Sequence, residues 1–224
     1  MRRRKRSSLS PFKGPWQFIT AVIFFLLGLA ASSFKSSEFP VPVFLRDFVS
    51  DTHKTNAATP VGYENILVVR AVDGDTLELE NKERVRLIGV DTPESRKNEK
   101  ALKDSQRTGM DIETIVQLGN EAKNFTKHLV ENKRVRLEFD AGPKDKYGRL
   151  LAYVYLLNNN QNDSQYVRNS KGEVFVNATI MKLGYASPMT IPPNVTFADL
   201  FRNLYQEARA EKLGLWQGDV LVQR

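Results

Sequence analysis

Three short polar clusters interrupt apolar, strand-like runs in this 224-residue chain. They are Asp73-Gly74-Asp75-Thr76, Val90-Asp91-Thr92-Pro93-Glu94 and Asp145-Lys146-Tyr147-Gly148-Arg149. Arg86 lies between the first two, inside Arg84-Val85-Arg86-Leu87-Ile88. Asp75 and Asp91, at the ends of neighbouring strands, can offer carboxylates to a hard cation, which prefers oxygen ligands. Glu94 can activate or orient a water. The guanidinium forks of Arg86 and Arg149 suit a phosphate. This inventory points to cation-assisted attack on a phosphodiester. Each residue taken singly also has a bland explanation. Asp75 fits a solvated Asx-type turn, and Asp91 can cap the turn before Pro93. Glu94 can be an exposed loop acid, Arg86 half of a barrel-rim ion pair, and Arg149 a basic residue after a turn.

The elements that must carry these groups are mostly strands. Ile66-Leu67-Val68-Val69 is a short apolar run, and Thr76 to Glu80 alternate. Asn81-Lys82 can turn, after which Val85, Leu87 and Ile88 resume the pattern. Gly74 between two aspartates marks a tight turn or bulge. Pro93 stops the strand that carries Asp91, so Asp91 to Glu94 form a strand-end loop. Residues 95–120 are polar and charged and read as one or two exposed helical turns or a mobile loop. A helix is predicted over Glu121–Val130, where Ala122, Phe125 and Leu129 share a face. Val135–Phe139 and Leu150–Leu157 alternate as strands, and the Asn-rich stretch 158–163 reads as a hairpin tip or loop. Helices follow over Val176–Leu183, ending at Gly184, and over about Phe197 to Lys212. The order accommodates an α+β, mainly β fold, expected as a small five-stranded OB-fold barrel flanked by about three helices.

Composition narrows the partners. With 41% hydrophobic residues a packed core is expected. There is no cysteine, which removes disulfides, thiolate nucleophiles and cysteine-ligated zinc. The net charge is +7, but residues 1–63 hold nine basic and three acidic residues, against 24 and 23 in the rest. Phosphate binding must therefore rest on local clusters rather than bulk charge. His53 falls in a linker and His128 on the Glu121–Val130 helix, so a paired-histidine mechanism lacks parts.

The N-terminus reads as a targeting segment. Residues 1–15 are a basic tail, and residues 16–34 are apolar enough for one hydrophobic helix, either a transmembrane anchor or a cleaved signal peptide. The positive flank predicts a catalytic domain outside the cytoplasm, membrane-anchored or secreted. A linker over 35–62, a catalytic domain over 63–217 and a tail over 218–224 complete the division.

Taken together, DGDT, RLIGVDTPE and DKYGR occur in an order and spacing that resembles the staphylococcal nuclease (thermonuclease) family. The resemblance runs from about Glu64 to Trp216 and includes Val135–Asp140, Leu151–Tyr155 and Glu207–Trp216. It implies an OB-fold enzyme that hydrolyses DNA and RNA with calcium, cleaving P–O5′ bonds to leave 3′-phosphates, with a monomeric catalytic domain. By position, it implies calcium ligation by Asp75, Asp91 and the Thr92 carbonyl, with Asp73 as an acid behind them. Glu94 matches the proposed general base, Arg86 and Arg149 the phosphate-clamping arginines, and Lys146 and Tyr147 the lining of the nucleotide pocket. Two departures stand out. The stretch after Glu94 is longer than in the type enzyme, and Ser187–Pro193 replaces a segment that there carries two pocket tyrosines. The competing class is a non-catalytic, membrane-tethered OB module that binds nucleic acid, which would not need all of Asp75, Arg86, Asp91, Glu94 and Arg149.

Overall fold

Alternating apolar positions build the barrel, and a phase switch in the first strand bends it. In a computed structural model, which describes residues 59–157 and 164–217, strand β1 (Ile66–Asp73) buries Ile66, Val68 and Ala71. Its pairing register shifts between Val68 and Arg70, the irregularity that moves burial from even to odd positions. β1 pairs antiparallel with β2 (Thr76–Leu79), and β2 with β3 (Arg84–Leu87). On its other edge β1 pairs with β5 (Arg134–Glu138), and β5 with β6 (Leu150–Leu156). A parallel pairing of β3 with β6, Arg86 opposite Leu151, closes the five strands into a barrel. Between β3 and β5 in the chain, β4 (Gly89–Asp91) leaves the barrel and pairs with β8 (Ser187–Met189). The two-residue β7 (Val174–Phe175) adds to β6.

Val68, Leu77, Leu79, Val85, Leu87, Val135, Leu137 and Val154 fill the barrel and are inaccessible to solvent. Helix α3 (Val176–Lys182) plugs one side through Asn177, which is fully buried. Its side chain accepts from Val154 N (2.9 Å) and donates to Ile88 O (2.9 Å), so its polar atoms do not go unpaired. Helix α4 (Ala198–Ala210) packs by Leu200, Phe201, Leu204 and Ala208; the spacing predicts a stripe of these with Phe197 and Tyr205, which are half-buried. Tyr153, Phe175 and Phe197 join the barrel to it, with ring centroids 4.6 Å apart for Tyr153 and Phe197.

Two expectations need correction. Residues 95–120 are not a loop with stray turns: they form α1 (Glu99–Thr108) and the first half of α2 (Ile112–Val130). The described residues thus hold four α-helices rather than about three. Local capping drives both. The Asn98 side chain accepts from Ala101 N, Gly109 takes φ 71° after α1, and the Asp111 side chain accepts from Thr114 N. His128 is exposed on α2. The basic tail, the hydrophobic segment 16–34, the linker up to residue 58, the stretch 158–163 and the tail from 218 lie outside the described residues. Among the described residues no helix is long and apolar enough to cross a membrane.

Asp140 fastens the end of the barrel. It accepts from Tyr153 Oη (2.8 Å), Ala141 N (2.8 Å) and Thr196 N (3.2 Å). Burial opposes its charge, but these donors prevail and hold its carboxyl below the usual range. A carboxyl lowered in the folded state adds stability above its unfolded pKa and loses it as the pH falls through the folded value. Asp140→Asn is therefore expected to cost about 1–2 kcal/mol at pH 7. The gap between the two proteins should close as the pH falls below about 4. Urea titrations of both at pH 7 and pH 3 check this.

Candidate active site

The first polar cluster is the turn between β1 and β2, and it passes directly against Thr92. A Cβ on Gly74 would lie 2.7 Å from Thr92 Cγ2, so only glycine allows this approach. Thr126 of α2 pins the turn by donating to Gly74 O at 2.8 Å. Asp75 is buried as a result. Its Oδ2 accepts from Thr92 N and Thr92 Oγ1, both at 3.1 Å. Its Oδ1 accepts from Thr76 Oγ1 at 3.0 Å and pairs with Arg86. Burial alone would raise the Asp75 pKa; the Arg86 charge and these hydrogen bonds outweigh it and keep the carboxyl ionised.

Arg86 reaches this spot because β3 sets it opposite Thr76. Its second fork nitrogen donates to Asp91 Oδ1 at 3.2 Å, and 13% of its side chain is exposed. Burial disfavours its charge, yet Asp75 and Asp91 together push its pKa above the ordinary arginine value. Asp91 is held at the end of β4 by pairing with Ser187 of β8. Asp73 lies behind, accepting from Ser95 Oγ at 2.5 Å.

Beyond Pro93 the chain carries Glu94 and then α1. Glu94 Oε2 accepts from Asn98 Nδ2 at 2.7 Å, and its Oε1 pairs with Lys100 Nζ at 3.0 Å. Lys100 also donates to Thr92 O at 3.2 Å and pairs with Asp91 Oδ1 at 3.3 Å. Burial works against its charge, but Asp91, Glu94 and Asp104 prevail and raise its pKa. Three carboxylates, of Asp75, Asp91 and Glu94, thus share two cations and keep an excess of negative charge.

Arg149 stands in a second cluster. Its Nε donates to Asp145 Oδ2 at 2.7 Å, and its backbone N–H to Asp145 Oδ1 at 2.9 Å. Tyr147 is exposed, with Lys146 Nζ 5.0 Å and the Arg149 guanidinium carbon 5.5 Å from its ring centre. The sheet links the segments that carry the two clusters. Arg149 lies two residues before Leu151, the partner of Arg86 across the parallel β3–β6 pairing.

Of the residues expected at the site, Asp73, Asp75, Arg86, Asp91, Thr92 and Glu94 therefore converge, whereas Arg149, Lys146 and Tyr147 form a cluster of their own just before β6. Sequence reasoning misses Lys100, Asn98, Ser95, Thr126 and Gly119. The available signal is the Asn98 cap and the Lys100–Asp104 pair at i,i+4 in a stretch too polar to show a core-facing stripe. A cleft of about 630 Å³ opens beside Asp91, Thr92 and Pro93, between the α1–α2 segment, β8 and Trp216. Its lining does not include Glu94, Arg86 or Arg149, so it adjoins the acid cluster instead of enclosing it.

Among the described residues no three Asp, Glu or His side chains converge to enclose a metal ion. The oxygen donors nonetheless suit a hard cation in kind: carboxylates of Asp75 and Asp91 and the Thr92 carbonyl. Such an ion must compete with Arg86 and Lys100, which now take those oxygens.

The family profile described as staphylococcal nuclease homologue matches residues 84–218. That match spans Arg86 to Arg149 and begins after the Asp73–Asp75 turn. A thermonuclease of Staphylococcus intermedius is 39% identical over 165 residues, covering 72% of this chain and 81% of the relative. An endonuclease of Bacillus subtilis is 34% identical over 157 residues, covering 68% of this chain and 61% of that protein. A thermonuclease of Staphylococcus hyicus is 33% identical over 153 residues, covering 66% and 73%.

Proposed function

This chain belongs to the staphylococcal nuclease family and is a nuclease acting on phosphodiester bonds; on that premise we propose that it hydrolyses DNA and RNA with calcium, breaking P–O5′ bonds and leaving 3′-phosphates. The observation that carries the proposal is the convergence of Asp75, Arg86, Asp91, Thr92 O and Glu94 from three separated segments into one network. A structural ion pair needs two of these groups; a phosphodiester hydrolase needs them all.

The side chains of Asp75 and Asp91 and the Thr92 carbonyl would hold calcium, with Asp73 behind them. When bound, the ion supplies positive charge against the scissile phosphate and its attacking water. Glu94 orients the water and takes its proton as oxygen attacks phosphorus. Arg86 and Arg149 bind the phosphate oxygens and stabilise the charge that builds there. The P–O5′ bond breaks, the 3′ side keeps the phosphate, and the departing O5′ takes a proton from solvent water to end as a 5′-hydroxyl. Lys146 and Tyr147 contact the neighbouring nucleotide, where the exposed Tyr147 ring offers a stacking face.

The test is cleavage of single-stranded DNA, duplex DNA and RNA by the purified chain, with calcium or with a chelator. Cleavage that stops on chelation, with products extendable only after 3′-phosphate removal, is the expected result. Cleavage that continues without divalent metal would overturn the calcium assignment. A folded protein that binds nucleic acid and cuts none would instead be a binding module. For residues 16–34 the proposal extends to delivery outside the cytoplasm, as an anchor or a cleaved signal. The mass of the mature protein in membrane and soluble fractions separates these two.

A further inference from the structure

We propose that Lys100 is a tethered cation that competes with the catalytic metal for its ligands, so that metal binding and the docking of α1 oppose each other. This rests on the calcium reading above.

The geometry is direct. An ammonium group has three N–H donors, and Lys100 Nζ lies 3.2 Å from Thr92 O, 3.3 Å from Asp91 Oδ1 and 3.0 Å from Glu94 Oε1. Two of these oxygens belong to groups assigned to the metal, and the third to the group assigned to the water. Lys100 does not arrive there by chance of a free stem. It is the second residue of α1, and that helix is registered on the site from its first turn. Asn98 both caps the helix, accepting from Ala101 N at 2.8 Å, and donates to Glu94 Oε2 at 2.7 Å. Asp104, one turn later on the same face, lies 3.8 Å from Lys100 Nζ and steadies the ammonium.

A calcium ion draws its oxygens to about 2.3–2.6 Å. An ammonium on the same oxygens would then sit within a few ångströms of a doubly charged ion, in a half-buried place where repulsion is poorly screened. Metal and ammonium therefore exclude one another. By linkage, whatever Lys100 takes from metal affinity the metal takes from the docking of α1.

The experiment measures binding of calcium chloride alone, without substrate, by titration calorimetry on the wild type and on Lys100→Met, which keeps the length and apolar stem. The variant is expected to bind calcium at least about tenfold more tightly. In the wild type, calcium should speed amide hydrogen exchange in the first turns of α1. Equal or weaker binding by Lys100→Met overturns the proposal, as does exchange in α1 that slows or stays unchanged on adding calcium. The exchange measurement needs no variant, so it decides the matter even if Lys100→Met misfolds. Binding by neither protein would remove the calcium reading itself; binding by the wild type with no gain in the variant removes only the role of Lys100.

Discussion

Glu94→Gln is expected to lower the turnover of a DNA substrate by about 10²–10⁴-fold. The amide keeps the shape of the side chain and an oxygen that can accept from Asn98 or Lys100. It cannot take a proton from water. Stability should therefore change little and the single-turnover rate a great deal, with substrate affinity nearly constant. That division matters, because a residue that only braces the loop would lower stability and rate together. Single-turnover kinetics beside a denaturation curve check the prediction. A variant with full rate would show that water is activated elsewhere.

Gly119→Ala is expected to damage the site from a position that touches no substrate. Gly119 is buried within α2. Helix propensity alone favours alanine there by about 1 kcal/mol. Packing opposes it: an added Cβ would lie 2.2 Å from Glu94 O and 2.7 Å from Ser95 N. Those are backbone atoms of a tightly held loop, with no flexible tip to swing aside. The loop must therefore move, taking Glu94, the Thr92 carbonyl and the Ser95–Asp73 hydrogen bond with it. Overpacking of this kind costs about 1–3 kcal/mol. A displacement near 1 Å at the chemistry can lower the rate by about 10²-fold. Urea denaturation and kcat measured on the same preparation check both effects. A stabilised variant with unchanged kcat would mean that the loop yields freely and that propensity decides.

These two positions differ in how far they can be read from the chain. Glu94 belongs to a run in which Pro93 ends a strand and polar groups cluster, so its place at a strand end follows from local rules. Gly119 carries no such sign; a glycine in a polar stretch looks like a break. The same bias hides the first half of α2. That half buries only Ile115 and Gly119, whereas the second half buries Ala122, Thr126, Leu129 and Val130 and shows a clear face. Helix α1 buries Ala101 alone, so apolar periodicity has nothing to report there. Capping by Asn98, Gly109 and Asp111 was the usable signal. Strand β8 is obscured for a different reason. Ser187-Pro188-Met189 has no alternation and includes a proline, and it becomes a strand because β4 lies alongside it.

What the sequence by itself determined is local: which acids and arginines exist, their order, the strands and turns that bear them, and the family to which they point. Turn chemistry and period-two burial act over a few residues, so a linear reading captures them. Only the tertiary structure decided which charges meet. Arg86 pairs with both Asp75 and Asp91 because β3 lies on β2, and Lys100 reaches Asp91, Thr92 and Glu94 from the first turn of α1. Coulomb interactions and burial depend on distances in space, and those distances are set by strand pairing and helix docking that no neighbouring residues encode.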